Sequence, residues 1–151
     1  MKALFLGLGS IGQRHLQNFK KLVPVESEVI AHRSSDKNLV IVDGTATQCH
    51  SLADYYNLKE YSSFSEAIEQ APDISFICNP SNLHLASAIR LAGIGSNLFI
   101  EKPVATAIKN FSILEDLVKE KMLTTLVGYQ SRFHPELIKV KSIISKKEFG
   151  N

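Results

Sequence analysis

The chain opens MKALFLGLGSIGQRH, Met1 to His15, and this stretch decides how the rest is read. Lys2 to Leu6 is a short apolar run of the kind that forms a buried strand. It leads directly into Gly7-Leu8-Gly9-Ser10-Ile11-Gly12, and a helical pattern begins at Ile11. The order strand, glycine turn, helix lifts a G-x-G-x-x-G match above chance. Gly7 lets the chain turn tightly off the strand, Gly9 has no side chain to block a pyrophosphate, and Gly12 lets the helix pack close to the sheet. The N–H groups of Gly9, Ser10, Ile11 and Gly12 then point at the phosphates, with the positive end of the helix dipole behind them. A glycine-rich turn that binds nothing is the bland alternative. Placement at the start of an apolar strand favours the dinucleotide.

The remaining composition narrows the class. A chain of 151 residues, 44% apolar and 21% charged, is one domain of ordinary size with enough apolar surface for a core. A formal net charge of +2 argues against a dedicated nucleic-acid binder, which carries a basic stripe. Lys139, Lys141, Lys146 and Lys147 read instead as a solvated helix face. No apolar stretch approaches a membrane span, and the N-terminus lacks a signal-peptide pattern. Cys49 and Cys78 fit neither C-x-x-C nor a zinc spacing, so no metal site is expected and a reduced, cytoplasmic protein is the default.

A helix over residues 11–22 carries Leu16, Phe19 and Leu22-Val23 on one face, and Pro24 stops it. Val29-Ile30-Ala31 is the second strand, with His32-Arg33-Ser34-Ser35 at its carboxyl end. An NAD-type site places an acidic residue about 20 positions after the glycines, on the ribose 2′-hydroxyl. Here His32 or Arg33 holds that place. Arg33 can pair with a 2′-phosphate and lay its guanidinium on the adenine, with Ser34 or Ser35 donating a hydrogen bond. NADP is therefore preferred over NAD, while Asp36 keeps NAD open. Leu39 to Val42, followed by Asp43-Gly44, reads as a short strand ending in a turn, with no functional account. A helix is expected over residues 47–56 and a weak strand over 59–61. Ser63 and Glu66 have capping-box spacing and open a helix through Ala71, which Pro72-Asp73 breaks.

Residues 74–78 form a central strand, and Asn79-Pro80-Ser81-Asn82-Leu83-His84 sits at its carboxyl end. In an open parallel sheet that is where ligands lie. Pro80 gives a rigid turn and Asn82 is expected to cap a helix over 83–92. For Asn79, Asn82 and His84, capping alone and direct cofactor contact stand level. Residues 97–101 are the next strand, ending in Glu101-Lys102-Pro103. A lysine there, beside a nicotinamide, is placed to act on a hydroxyl or carbonyl; otherwise the pair is ordinary surface charge. A helix over 110–121 points Phe111, Leu114, Leu117, Val118 and Met122 inward. A strand over 124–129 ends in Gln130-Ser131-Arg132-Phe133-His134-Pro135. The last helix, over 135–147, has Leu137, Val140 and Ile144 on one face and Gly150 as C-cap. The β-α alternation implies an α/β fold: a doubly wound parallel sheet in three αβα layers. The groups at Arg33, Asn79 to Asn82, Glu101 to Pro103 and Gln130 to Arg132 all fall at strand carboxyl ends, on one edge of one sheet.

Taken together, these residues resemble the N-terminal Rossmann domain of the Gfo/Idh/MocA family of NAD(P)-dependent oxidoreductases, whose type members act on sugars and inositols. The resemblance spans the whole chain. It rests on Gly7-Leu-Gly-Ser-Ile-Gly12 with His15 after it, Cys78-Asn-Pro-Ser-Asn-Leu-His84, Glu101-Lys-Pro103 and Gly128-Tyr-Gln-Ser-Arg-Phe-His-Pro135. It implies that the glycines hold the pyrophosphate and that Asn79, Pro80 and His84 line the adenosine and ribose side. Lys102 would sit beside the nicotinamide ribose and the substrate's reacting oxygen, Glu101 would contact the cofactor, and Arg132 would lie near the nicotinamide.

The resemblance also implies a second α/β domain that forms most of the substrate pocket and supplies an Asp and a His for proton transfer. No stretch here stands in for it; an excised domain and a natural fragment are both open. The chain alone is expected to be inactive, meeting its sugar-like substrate only with that domain, and its bare sheet face could drive homo-oligomer formation. A non-catalytic NAD(P)-binding module is the alternative; Lys102 favours the enzyme, the absent domain the module. A hydrolase using Cys78, His84 and His134 is remote, because Cys78 lies in an apolar run and the histidines lack metal-ligand spacing.

Overall fold

The computed structural model describes residues 1–147. In chain order, Lys2–Leu6 (β1) is followed by Ser10–Leu22 (α1), Glu28–His32 (β2), Leu39–Val42 (β3), Thr45–Gln48 (β4), Leu52–Tyr55 (α2) and Lys59–Glu60 (β5). Then come Phe64–Glu69 (α3), Ile74–Ile77 (β6), His84–Gly93 (α4), Asn97–Ile100 (β7), Phe111–Glu120 (α5), Thr125–Val127 (β8) and Pro135–Ser145 (α6). Six strands pair in the order β5-β2-β1-β6-β7-β8, every pair parallel. The chain works outward from β1 through β2 to β5, then returns to place β6 on the other side of β1. That reversal opens a crevice at the carboxyl ends of β1 and β6, where ligands bind in such sheets.

The period-two alternation of β1 divides the core. Ala3 and Phe5 join Leu16, Phe19 and Phe76 on one face, while Leu4 and Leu6 join Ile30, Ile77, Leu91 and Ile100 on the other. Phe5 and Phe76, opposite one another in adjacent strands, stack with ring centroids 4.4 Å apart. Both faces of the central strands are covered, which is why those strands read as continuous apolar runs. Ser63 and Glu66 form the expected capping box, with the Glu66 N–H donating to Ser63 Oγ at 3.1 Å.

Several expectations are corrected. Thr47 and Gln48 are strand, not helix: β3 and β4 form an antiparallel hairpin outside the main sheet, and the helix is confined to Leu52–Tyr55. The two-residue turn Asp43-Gly44 has positive φ at both positions, 48° and 81°, which suits the twist of a hairpin. Ser51 caps α2 by accepting from the Asp54 N–H at 3.1 Å. Asn82 does not cap the next helix. It sits inside a 3-10 turn, Ser81–Leu83, closed by the Leu83 N–H donating to Pro80 O, and α4 starts at His84 without a side-chain cap. Met122 is 89% exposed, in the turn after α5, rather than inward. Helix α6 buries no residue, so the apolar face of Leu137, Val140 and Ile144 is open among the described residues. Gly150, expected as its C-cap, lies outside the described residues. No helix among the described residues is long and apolar enough to cross a membrane.

Candidate dinucleotide site

The glycines meet three different constraints. Gly7 has φ +88°, and a Cβ there would lie 2.7 Å from the Cys78 carbonyl oxygen. Its N–H donates to His32 O at 2.9 Å, locking the turn to the end of β2. A Cβ on Gly12 would overlap the Gly7 carbonyl oxygen, so the helix can approach the strand end only without a side chain there. Gly9 differs: a Cβ would meet nothing within 4 Å. The space over it is open. No side chain caps the start of α1 and its first turn holds no acid, which leaves uncapped N–H groups and a positive helix end facing that space. These features fit the pyrophosphate of a dinucleotide.

A cleft of about 720 Å³ follows, lined by Gly7, Gly9, His32, Arg33, Ser34, Asn79 and Pro80 among others. No carboxylate lines it among the described residues, whereas Arg33, Lys37 and Arg90 do. Arg33 is held on three sides. Its Nε donates to Glu60 Oε1 at 2.8 Å, Nη1 to Lys37 O at 2.7 Å and Nη2 to Asn38 Oδ1 at 2.9 Å. Two of the five guanidinium N–H groups are left for a ligand. Asn79 donates from Nδ2 to Ser87 Oγ at 2.9 Å, while its buried Oδ1 has no partner among the described residues. That acceptor suits a ligand hydroxyl.

A second cavity of about 320 Å³ shares Cys78 and Asn79 with the cleft and is lined also by Ile11, Arg14, His84, Glu101 and Lys102. Lys102 is exposed. Glu101, only 5% exposed, places Oε1 2.7 Å from His15 Nε2 and accepts from the Lys102 N–H at 3.2 Å on Oε2. His84 is 2% exposed, with Nδ1 2.7 Å from Pro103 O and Nε2 2.8 Å from Asn79 O. It ties the two site loops together rather than offering a free ring nitrogen. Burial, reinforced by the Glu101 charge, pushes the Cys78 thiol up to about 12. It stays protonated, which removes it as a nucleophile. Asn82 and Arg132 line neither cavity.

Three residues have roles here that the sequence does not assign them. Gln13, 1% exposed, joins the glycine loop to β3. Its signal was a polar residue three positions before Leu16, on the inward face of α1. Glu60 pairs with Arg33, and nothing local announces it. Gly128 makes room for Glu101: a Cβ there would lie 2.8 Å from Oε1.

Residues 1–129 match a family described as an oxidoreductase family with an NAD-binding Rossmann fold. The chain belongs to the Gfo/Idh/MocA oxidoreductase family. Among curated members, it is 28% identical over 147 residues to the uncharacterized oxidoreductase YrbE of Bacillus subtilis (strain 168), covering 96% of this chain and 40% of that protein. It is 24% identical over 152 residues to the scyllo-inositol 2-dehydrogenase (NAD(+)) of the same strain, covering 99% of this chain and 42% of that enzyme. The structure of the WlbA dehydrogenase from Chromobacterium violaceum, in complex with NADH and UDP-GlcNAcA, superposes with a TM-score of 0.77 at 20% identity, over 99% of this chain and 41% of that one. The chain thus spans about two fifths of the length of these Gfo/Idh/MocA relatives.

Proposed function

We propose that this chain binds NADP, or NAD less tightly, along the carboxyl edge of its sheet. It supplies the cofactor half and Lys102 of a dehydrogenase acting on a CH–OH group of a sugar- or polyol-type substrate. One observation carries the reading: the two cavities lie side by side, with Cys78 and Asn79 lining both. The start of α1 borders both, with Gly9 on the cavity that holds Arg33 and Ile11 on the cavity that holds Lys102. Membership of an oxidoreductase family and similarity to an inositol dehydrogenase support the reaction class.

The nicotinamide, when bound, supplies the hydride acceptor or donor. The backbone N–H groups at the start of α1 hold the phosphates. Asn79 Oδ1 accepts from a ribose hydroxyl. The Lys102 ammonium donates to the substrate's reacting oxygen and stabilises charge there as hydride moves. Glu101 holds the Lys102 backbone and faces His15. The proton released in the oxidative direction needs a base, and a second wall is needed opposite Lys102; neither is assigned to a described residue. By itself the chain therefore binds cofactor without turnover. The absence of a lining carboxylate, together with Arg33 and Lys37, supports the 2′-phosphate. Two free cysteines support a reducing, cytoplasmic setting.

The test is a fluorescence titration of the chain with NADPH and NADH. Tighter NADPH binding that weakens in Arg33→Asp is the expected result. Equal binding of both removes the 2′-phosphate assignment. Binding of neither overturns the site.

A further inference from the structure

We infer that the β3–β4 hairpin walls the adenosine end of the cleft, and that Gln13 is the positioning residue that latches this wall to the glycine loop. The inference rests on the dinucleotide reading and adds a part the family resemblance does not supply. The hairpin lies outside the six-stranded sheet, and all four residues of β4 are exposed. Its alternation faces two ways. Val40 is buried in the core, while Leu39 and Ile41 line the cleft beside Arg33 and Ser34. An apolar pair at that end suits the flat face of a purine.

Val40 anchors the hairpin in the core and Arg33 holds its base at Lys37 and Asn38, but one amide ties it to the glycine loop. Gln13 Nε2 donates to Leu8 O and to Leu39 O, each at 2.8 Å. Gln13 Oε1 accepts from the Ile41 N–H and from the Tyr56 hydroxyl, each at 2.8 Å. Both hydrogens and both lone pairs are used, which is the full capacity of the group. Leu8 belongs to the glycine loop, and Leu39 and Ile41 are the two cleft-facing residues of β3. A single buried side chain therefore sets the spacing between phosphate loop and apolar wall. At the base, the Cys49 N–H donates to Asn38 O at 2.9 Å and closes the hairpin. Toward the tip Val42 pairs with Thr45 within the hairpin, and among the described residues no side-chain hydrogen bond joins that end to the rest of the chain, so loss of the amide frees the wall and not the sheet. Buried networks of this kind rigidify when complete and fail when one member is removed.

Gln13→Glu keeps the shape and removes both donors. Hydrogen exchange read by mass spectrometry should quicken about tenfold over residues 36–50 while β1 and β6 stay protected. Dissociation constants for NADH and NADPH should both rise about tenfold. Ile41→Ala leaves the amide network intact and should weaken both dinucleotides about threefold with exchange unchanged. A folded Gln13→Glu with wild-type exchange and affinity overturns the inference, as does quickened exchange spread evenly over the sheet. If Gln13→Glu does not fold, wild-type affinity in Ile41→Ala overturns it. Failure of the unaltered chain to bind either dinucleotide overturns the dinucleotide reading and this inference with it; wild-type binding with unaffected variants overturns the inference alone.

Discussion

His15 Nε2 lies 2.7 Å from Glu101 Oε1, joining the second turn of α1 to the residue after β7. The imidazole packs against Phe99 with ring centroids 4.6 Å apart, and both side chains are largely shielded from water, at 18% and 7% exposure. A buried polar contact adds little relative to a well-packed apolar pair, but losing one partner leaves the other buried without its hydrogen bond. His15→Ala should therefore cost about 3 kcal/mol, read as a lower urea midpoint. Glu101→Gln in that background should recover part of the loss. Equal stability of His15→Ala and the unaltered chain would remove the pair from the account.

The glycines should separate folding from binding. Gly9 has φ −71° and open space around it, so Gly9→Ala should change stability by less than about 0.5 kcal/mol. It should nonetheless weaken NADPH at least about tenfold, because the added methyl enters the phosphate space. Gly12→Ala drives a Cβ into the Gly7 carbonyl and should cost about 3 kcal/mol. Denaturation and titration on the same two variants check this, and a destabilised Gly9→Ala with normal binding would reverse the assignment.

Cys78 gives a pH dependence. Its thiol ionises near 9.0 when solvated and is pushed up to about 12 in the fold. Between those values the unfolded chain has released a proton that the native chain keeps, so stability falls as pH rises through that window. Below it the contribution is complete. Cys78→Ala should show a shallower decline in Tm from about pH 8 to 10.5. Parallel curves would show that the thiol is not the group responsible.

Helix α6 should prove energetically separate from the sheet. Ile144 is 69% exposed and Leu91 is fully buried. Ile144→Asn should shift stability by less than about 0.5 kcal/mol, while Leu91→Ala should cost about 2–5 kcal/mol. Urea melts of the two variants decide it, and a large loss in Ile144→Asn would mean that α6 packs on the chain after all.

The local features were legible because their causes are local. The turn at Gly7, the capping box at Ser63 and Glu66, and the apolar run of β1 each depend on residues within a few positions of one another. The hairpin was half legible. Leu39 to Val42 read as strand, but Thr45–Gln48 did not, since its four exposed residues carry no apolar alternation and its strand character comes from pairing with β3. Met122 and α6 show the opposite error. Their apolar periodicity is real, yet periodicity names a face without saying that anything covers it.

The sequence by itself determined the order of the six strands of the main sheet and the helices between them, the glycine turn and the edge on which Arg33, Asn79 and Lys102 fall. Steric limits on single residues and the two periodicities are enough for that. Only the tertiary structure decided the partners. Arg33 meets Glu60 across 27 residues, Gln13 meets Tyr56 across 43, and His15 meets Glu101 across 86. Parallel pairing brings distant strand ends side by side, and hydrogen bonds between the groups so assembled leave no period in the chain.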